Sequence, residues 1–131
     1  RWVRIKANHA NNSPFLRGID AFDVAVRHGE GKFMAQKSHL RDIKNNNLIA
    51  FQYVDRSGEP AKNYPENPNG SELSIAGITN DTGTVLGLMP HPEVFINSTH
   101  HPHWTRNKGQ EMKGDGLKLF ENAVNYVLKE L

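Results

Sequence analysis

Within Gly87-Leu88-Met89-Pro90-His91-Pro92-Glu93 a histidine and a carboxylate stand two residues apart, each directly after a proline. Pro92 pushes His91 toward an extended backbone, as Pro90 does Met89. Alternate side chains of an extended segment point to the same side. His91 and Glu93 are therefore expected to project together, with the carboxylate accepting a hydrogen bond from one ring nitrogen. Such a carboxylate fixes the histidine tautomer, supports the imidazolium and leaves the other nitrogen free to take or give a proton. That is the base and orienter of a nucleophilic triad, and the nucleophile must come from elsewhere. The competing reading is a turn marked by two prolines, in which His91 and Glu93 are ordinary polar loop residues.

Two other clusters could do chemistry. His100-His101-Pro102-His103-Trp104 holds three histidines within four residues, which raises a zinc site. Adjacent side chains of an extended segment face opposite ways and Pro102 restricts the backbone, so at most two of the three converge easily. There is no cysteine and no helical histidine pair at a spacing of four; no metal ligand is assigned. His28-Gly29-Glu30-Gly31-Lys32 could turn backbone N–H groups toward an anion, with Lys32 assisting. It lacks the length and spacing of a P-loop or dinucleotide fingerprint, and a tight hairpin is the plainer reading.

These groups have to be held by an alternation of strands and turns. Residues 1 to 6 alternate Val3 and Ile5 with charged neighbours and read as a strand. Ser13-Pro14-Phe15-Leu16-Arg17-Gly18 reads as one helical turn, with Ser13 as N-cap, Pro14 at the first position and Gly18 closing it. Residues 22 to 26 read as a strand, turned at 28 to 31 into another over 32 to 35. Ser38 is placed to cap a short helix over 39 to 44. Residues 48 to 54 suit a buried strand, and a long loop follows over 55 to 71. Residues 75 to 79 and 84 to 89 are expected to form a hairpin across Asn80-Asp81-Thr82-Gly83, with Gly83 in the left-handed conformation. It delivers the chain to His91. Residues 97 to 114 read as an exposed excursion. Leu117, Phe120, Val124, Val127, Leu128 and Leu131 share one helical face, which predicts a C-terminal helix, capped by Asp115, packing that face on the sheet.

Composition narrows the function classes. A chain of 131 residues suits one domain. Its 16 basic and 14 acidic residues leave a formal charge of +2, and no basic run is interleaved with aromatics, so nucleic acid is not an expected partner. No apolar stretch approaches the roughly 20 residues that cross a bilayer. The absence of cysteine rules out disulfides.

The stretch Ile75-Ala76-Gly77-Ile78-Thr79-Asn80, continued by the heptapeptide that holds His91, resembles the C-terminal part of class I (triad) glutamine amidotransferases. Within them it resembles the glutaminase subunits of phosphoribosylformylglycinamidine synthase. Arg1-Trp2-Val3-Arg4-Ile5-Lys6, His28-Gly29-Glu30-Gly31-Lys32-Phe33, Phe51-Gln52-Tyr53-Val54-Asp55, Asn67-Pro68-Asn69-Gly70-Ser71 and Gly114-Asp115-Gly116-Leu117 match in the same order. An ordered series along nearly the whole chain is far more specific than His-Pro-Glu alone.

The resemblance implies an α/β fold, the C-terminal part of a flavodoxin-like class I glutamine amidotransferase domain, with a mixed sheet, hairpins and a C-terminal helix. Residues 1–131 would be one part of a single domain whose nucleophilic cysteine lies on an upstream strand-to-helix turn, so the fragment alone should be inactive. It implies His91 and Glu93 as catalytic, and His28, Gly29 and Glu30 as facing substrate or partner, with the loop at 63 to 71 shaping the glutamine entrance or touching the partner. No cofactor is implied in this chain. Glutamine is the implied substrate. The implied partner is a synthetase subunit that binds ATP, magnesium and formylglycinamide ribonucleotide, with a small accessory subunit. A cytoplasmic location without membrane contact follows. The alternatives are another triad amidotransferase, serving GMP, CTP or histidine synthesis, and an interaction module without catalysis.

Overall fold

The computed structural model describes residues 1–106 and 113–130. Five strands, β1 (Trp2–Ala7), β2 (Ala21–Ala25), β3 (Ile49–Val54), β4 (Ile75–Thr79) and β5 (Leu86–Leu88), form one sheet in the order β2-β1-β3-β4-β5. Two helices complete the α/β architecture, α1 (Lys37–Asn45) and α2 (Leu117–Glu130). Every strand pairing within the sheet is antiparallel.

The alternation read in the first residues is what β1 uses. Val3, Ile5 and Ala7 point into the core while Arg4 points out. Ile5 stands opposite Phe22 on one side and Tyr53 on the other, and the rings of Phe22 and Phe51 meet edge to face at 6.0 Å. β3 is central and buried almost throughout, which explains why its sequence is apolar without alternation. The Ser13 hydroxyl caps its turn by accepting the Phe15 N–H, and Gly18 takes φ +70°.

No strand forms over residues 32–35. At the last residue of β2 the outer edge meets His91, whose N–H donates to the Ala25 carbonyl at 2.9 Å. The glycine-rich segment instead runs on to the end of the long loop over 55 to 71. There Phe33 N–H donates to Ser71 Oγ at 3.0 Å, Glu72 N–H to the Phe33 carbonyl at 3.0 Å and Ala35 N–H to the Glu72 carboxylate at 2.9 Å. α1 begins one residue before Ser38. Its N-cap is Gln36, and no side chain caps it.

The C-terminal helix forms where the periodicity places it but turns a different face inward. Leu119 and Asn122 are buried, whereas Phe120, Val124, Val127 and Leu128 are exposed; Leu131 lies outside the described residues. The inward face is set by Asn122, whose side-chain amide donates to the carbonyls of Phe15 and Arg17, each at 2.8 Å. Leu119 joins the core beside it. Periodicity reports which residues share a face, not which face meets the body of the protein. The cap expected from Asp115 is made by its backbone, whose carbonyl accepts the Lys118 N–H.

Candidate active site

The hairpin β4–β5 carries the chain to the site. Gly83 adopts φ +72° in its turn, the Asn80 side chain accepts the Val85 N–H at 3.0 Å, and Gly77, Ile78 and Thr79 pair with Leu88, Gly87 and Leu86. Met89 prolongs the ladder by donating to the Ala76 carbonyl at 2.9 Å. Two residues later His91 is bonded to β2, at the opposite edge of the sheet. Four strand spacings of about 4.8 Å would hold those edges about 19 Å apart in a flat sheet, while two residues of chain span about 7 Å. The sheet therefore curls until its edges nearly meet, and His91 sits at the closure.

Pro92 then opens a 3₁₀ turn, Pro92–Phe95. Phe95 is buried and meets the Trp2 ring edge-on at 5.4 Å, which anchors the turn to β1. From the other side come two glycines ahead of α2. Gly114 N–H donates to the Ile96 carbonyl at 3.0 Å and Gly116 N–H to the Phe95 carbonyl at 2.9 Å.

In this frame His91 Nδ1–H donates to Glu93 Oε1 at 2.7 Å. The expected side-by-side geometry is present, although Glu93 lies within the 3₁₀ turn and not on a continued strand. With its proton on Nδ1, the neutral imidazole keeps a lone pair on Nε2. Burial pushes the Glu93 carboxyl up, but the hydrogen bond from His91, its own backbone N–H and the charges of His91 and Arg27 outweigh this and hold it below the usual carboxylate value. The His91 side chain is 40% exposed and Glu93 55%, so the pair is open to an incoming molecule.

His91 and Glu93 line a cavity of about 580 Å³ with apolar walls from Leu86, Leu88, Met89, Phe15, Leu119 and Phe120. That volume falls in the range of small-molecule sites. His28 and Glu30 line the same cavity, and the His28 and His91 ring centroids are 6.4 Å apart. Gly29 has nothing within 4 Å of where a Cβ would stand, and so forms the open crest of the turn. Both ring nitrogens of His28 are buried without a hydrogen-bond partner, and the ring lies where a side chain on Gly31 would be, 1.5 Å from that Cβ position.

The second histidine cluster has a packing role. His101 is not part of an exposed excursion: its ring lies 4.8 Å from Trp2 and 5.4 Å from Phe95, its Nε2 is 3.4 Å from Asp23, and its Nδ1 accepts the His103 N–H. Among the described residues no three His, Cys, Asp or Glu groups are arranged to hold a metal ion.

The contribution of Ala25, Gly114 and Gly116 to the site was not visible in the sequence as a role. The two glycines at alternate positions before a helix were the available sign of close backbone approach.

Residues 1–127 match the model of the CobB/CobQ-like glutamine amidotransferase domain. The chain belongs to that family. Among curated relatives, the chain is 38% identical over 126 residues to the phosphoribosylformylglycinamidine synthase subunit PurQ of Dehalococcoides mccartyi, covering 96% of this chain and 48% of that protein. It is 40% identical over 139 residues to PurQ of Methanococcus maripaludis, covering 98% and 51%. The structure of PurLQS from Thermotoga maritima contains a chain similar to it with a TM-score of 0.63 and 26% identity, over 97% of this chain and 47% of that one. The chain thus spans about half the length of the relatives it matches.

Proposed function

We propose that these residues supply the general base and its orienting acid to the glutaminase site of a phosphoribosylformylglycinamidine synthase, which releases ammonia from glutamine for de novo purine synthesis. The observation that carries this reading is the 2.7 Å His91–Glu93 bond, opening on a cavity of small-molecule size. The similarity to PurQ subunits supports the substrate and the pathway.

In the complete protein a cysteine thiolate attacks the side-chain carboxamide carbon of glutamine. His91 gives a proton to the nitrogen of the tetrahedral adduct, the C–N bond breaks, and ammonia leaves a thioester behind. His91 then takes a proton from water, which attacks the thioester carbon, and the thiolate departs as glutamate is released. Glu93 holds Nδ1 and stabilises the imidazolium while Nε2 exchanges protons. The turn of His28, Gly29 and Glu30, at the rim of the same cavity, faces the substrate or the partner. The chain holds no cysteine, so the thiol comes from outside residues 1–131, and these residues alone do not hydrolyse glutamine. ATP and magnesium belong to a synthetase subunit that aminates formylglycinamide ribonucleotide, with a small accessory subunit completing a cytoplasmic assembly.

Glutamine-dependent amination tests the reading. The complete protein is mixed in turn with the synthetases for formylglycinamidine ribonucleotide, GMP, CTP and imidazole glycerol phosphate. Ammonia transfer to formylglycinamide ribonucleotide alone is the expected result. Transfer with another synthetase, or with none, contradicts it.

A further inference from the structure

The helix α1 packs only loosely on the rest of the chain, with Leu40 and Ile43 half-buried. It is nine residues long, buries no side chain and has no side-chain cap. Isolated helices shorter than about 12 residues are marginal in water and rely on packing. Its charges add to the difficulty. Lys37, Arg41 and Lys44 recur at spacings of four and three, which at 3.6 residues per turn lines them along one stripe. Like charges at such spacings repel. Asp42, the one acidic residue of the helix, falls on the opposite side of this stripe and cannot neutralise it. None of the three cations is hydrogen-bonded or ion-paired among the described residues.

The stripe ends at a groove of about 450 Å³ that Lys44 shares with Lys62, which is also unpaired among the described residues. The groove has an apolar wall of Ile49, Pro60 and Leu73. Leu73 is 42% exposed and held at φ +51°, a conformation uncommon for a leucine and one that functional surfaces tend to keep. Such a combination, cations beside an apolar slot, suits a protein face that carries carboxylates around an apolar anchor. It does not suit single-stranded nucleic acid, because no Phe, Tyr or Trp side chain lines the groove or stands on α1 to stack on a base.

We propose that α1 and this groove form the docking surface for an acidic face of the ammonia-consuming synthetase subunit. The proposal rests on the function stated above, which requires such a partner. Glu72, next to Leu73 at the groove, is bonded to the backbone of Phe33 and Ala35, and these residues follow directly on the turn that carries His28 and Glu30. The groove is thereby tied by hydrogen bonds to the segment that continues the turn of the candidate active site.

The test measures the affinity of the complete glutaminase for its purified synthetase subunit at low and high salt. Wild type is compared with the triple variant Lys37→Glu, Arg41→Glu, Lys44→Glu, with the charge-conserving triple Lys37→Arg, Arg41→Lys, Lys44→Arg, and with Lys118→Glu on α2. The charge-reversed triple should bind at least about tenfold more weakly and lose most of its salt dependence. The other two should bind as wild type, and all should keep basal glutaminase activity. Wild-type binding that the reversal leaves unchanged overturns the docking surface alone. A wild type that binds no synthetase removes the functional reading beneath it. A reversal that abolishes binding to mixed-sequence DNA and leaves the synthetase affinity intact assigns the stripe to nucleic acid and also overturns the proposal.

Discussion

Gly116 lies so close to Pro92 that a Cβ on it would fall 2.1 Å from the Pro92 carbonyl oxygen and 2.9 Å from that of Phe95. Both neighbours are backbone, so neither can swing aside. Gly116→Ala is therefore expected to force α2 away from the turn that carries His91, at a cost of about 1 to 3 kcal/mol. Thermal melts of the complete protein would show the loss, and glutaminase activity should fall with it. Gly87→Ala is the control, since its Cβ would meet nothing nearer than 3.9 Å, and it should leave both readouts near wild type.

Tyr53 is a second internal probe. Its side chain is fully buried at the centre of the sheet and its hydroxyl has no hydrogen-bond partner. Burial pushes its pKa from 10.0 up to about 12. An unsatisfied buried hydroxyl costs free energy that its removal returns, so Tyr53→Phe should stabilise the protein by about 1 kcal/mol. The raised value also means that the neutral phenol favours the folded state. Wild-type stability should be unaffected by this group below its unfolded value of 10.0 and should decline as pH rises from there toward about 12. The variant should lack that component. Denaturant melts across alkaline pH check both statements; a destabilised variant would show that the hydroxyl does have a partner.

What could be read from the residues was what local stereochemistry decides. The prolines and the two-residue spacing were enough to bring His91 and Glu93 together, and Gly83 was enough to mark the β4–β5 turn. Other features depend on segments far apart in the chain. The His91–Ala25 bond joins opposite edges of the sheet, and where a strand was expected over 32–35 the backbone bonds to Ser71 and Glu72. Asn122 reaching the carbonyls of Phe15 and Arg17 decided which face of α2 turns inward, against the reading of its apolar stripe. His101 is largely covered because Trp2 and Phe95 lie beside it, which its proline-flanked local sequence does not reveal.

Glu93 predicts a pH dependence of its own. Its pKa is lowered in the fold, so the charged form is favoured. The stabilisation it gives is present above the unfolded value of 4.5 and is lost as pH falls through the lower folded value. The orientation of His91 should accordingly persist at mildly acidic pH and fail only below that window. Glu93→Gln keeps the shape but removes the charge that supports the imidazolium. In the complete protein it should lower kcat by about 10² to 10⁴, with a much smaller effect on KM. An equal rise in KM at unchanged kcat would make Glu93 a binding group and not an orienter.

The stripe of Phe120, Val124, Val127 and Leu128 on α2 is exposed among the described residues. Residues 1–131 expressed alone should therefore self-associate, and Val127→Lys with Leu128→Lys should shift them toward monomer. Light scattering over a concentration series measures this, and a clean monomer for the unaltered fragment would contradict it.

The most direct test of the proposed chemistry is the rate of glutamate release by the complete protein carrying His91→Asn, measured beside wild type at saturating glutamine. If His91 is the general acid and base, kcat should fall by about 10² to 10⁴ while the thermal melt stays unchanged. A His91→Asn protein that releases glutamate at the wild-type rate would contradict the assignment.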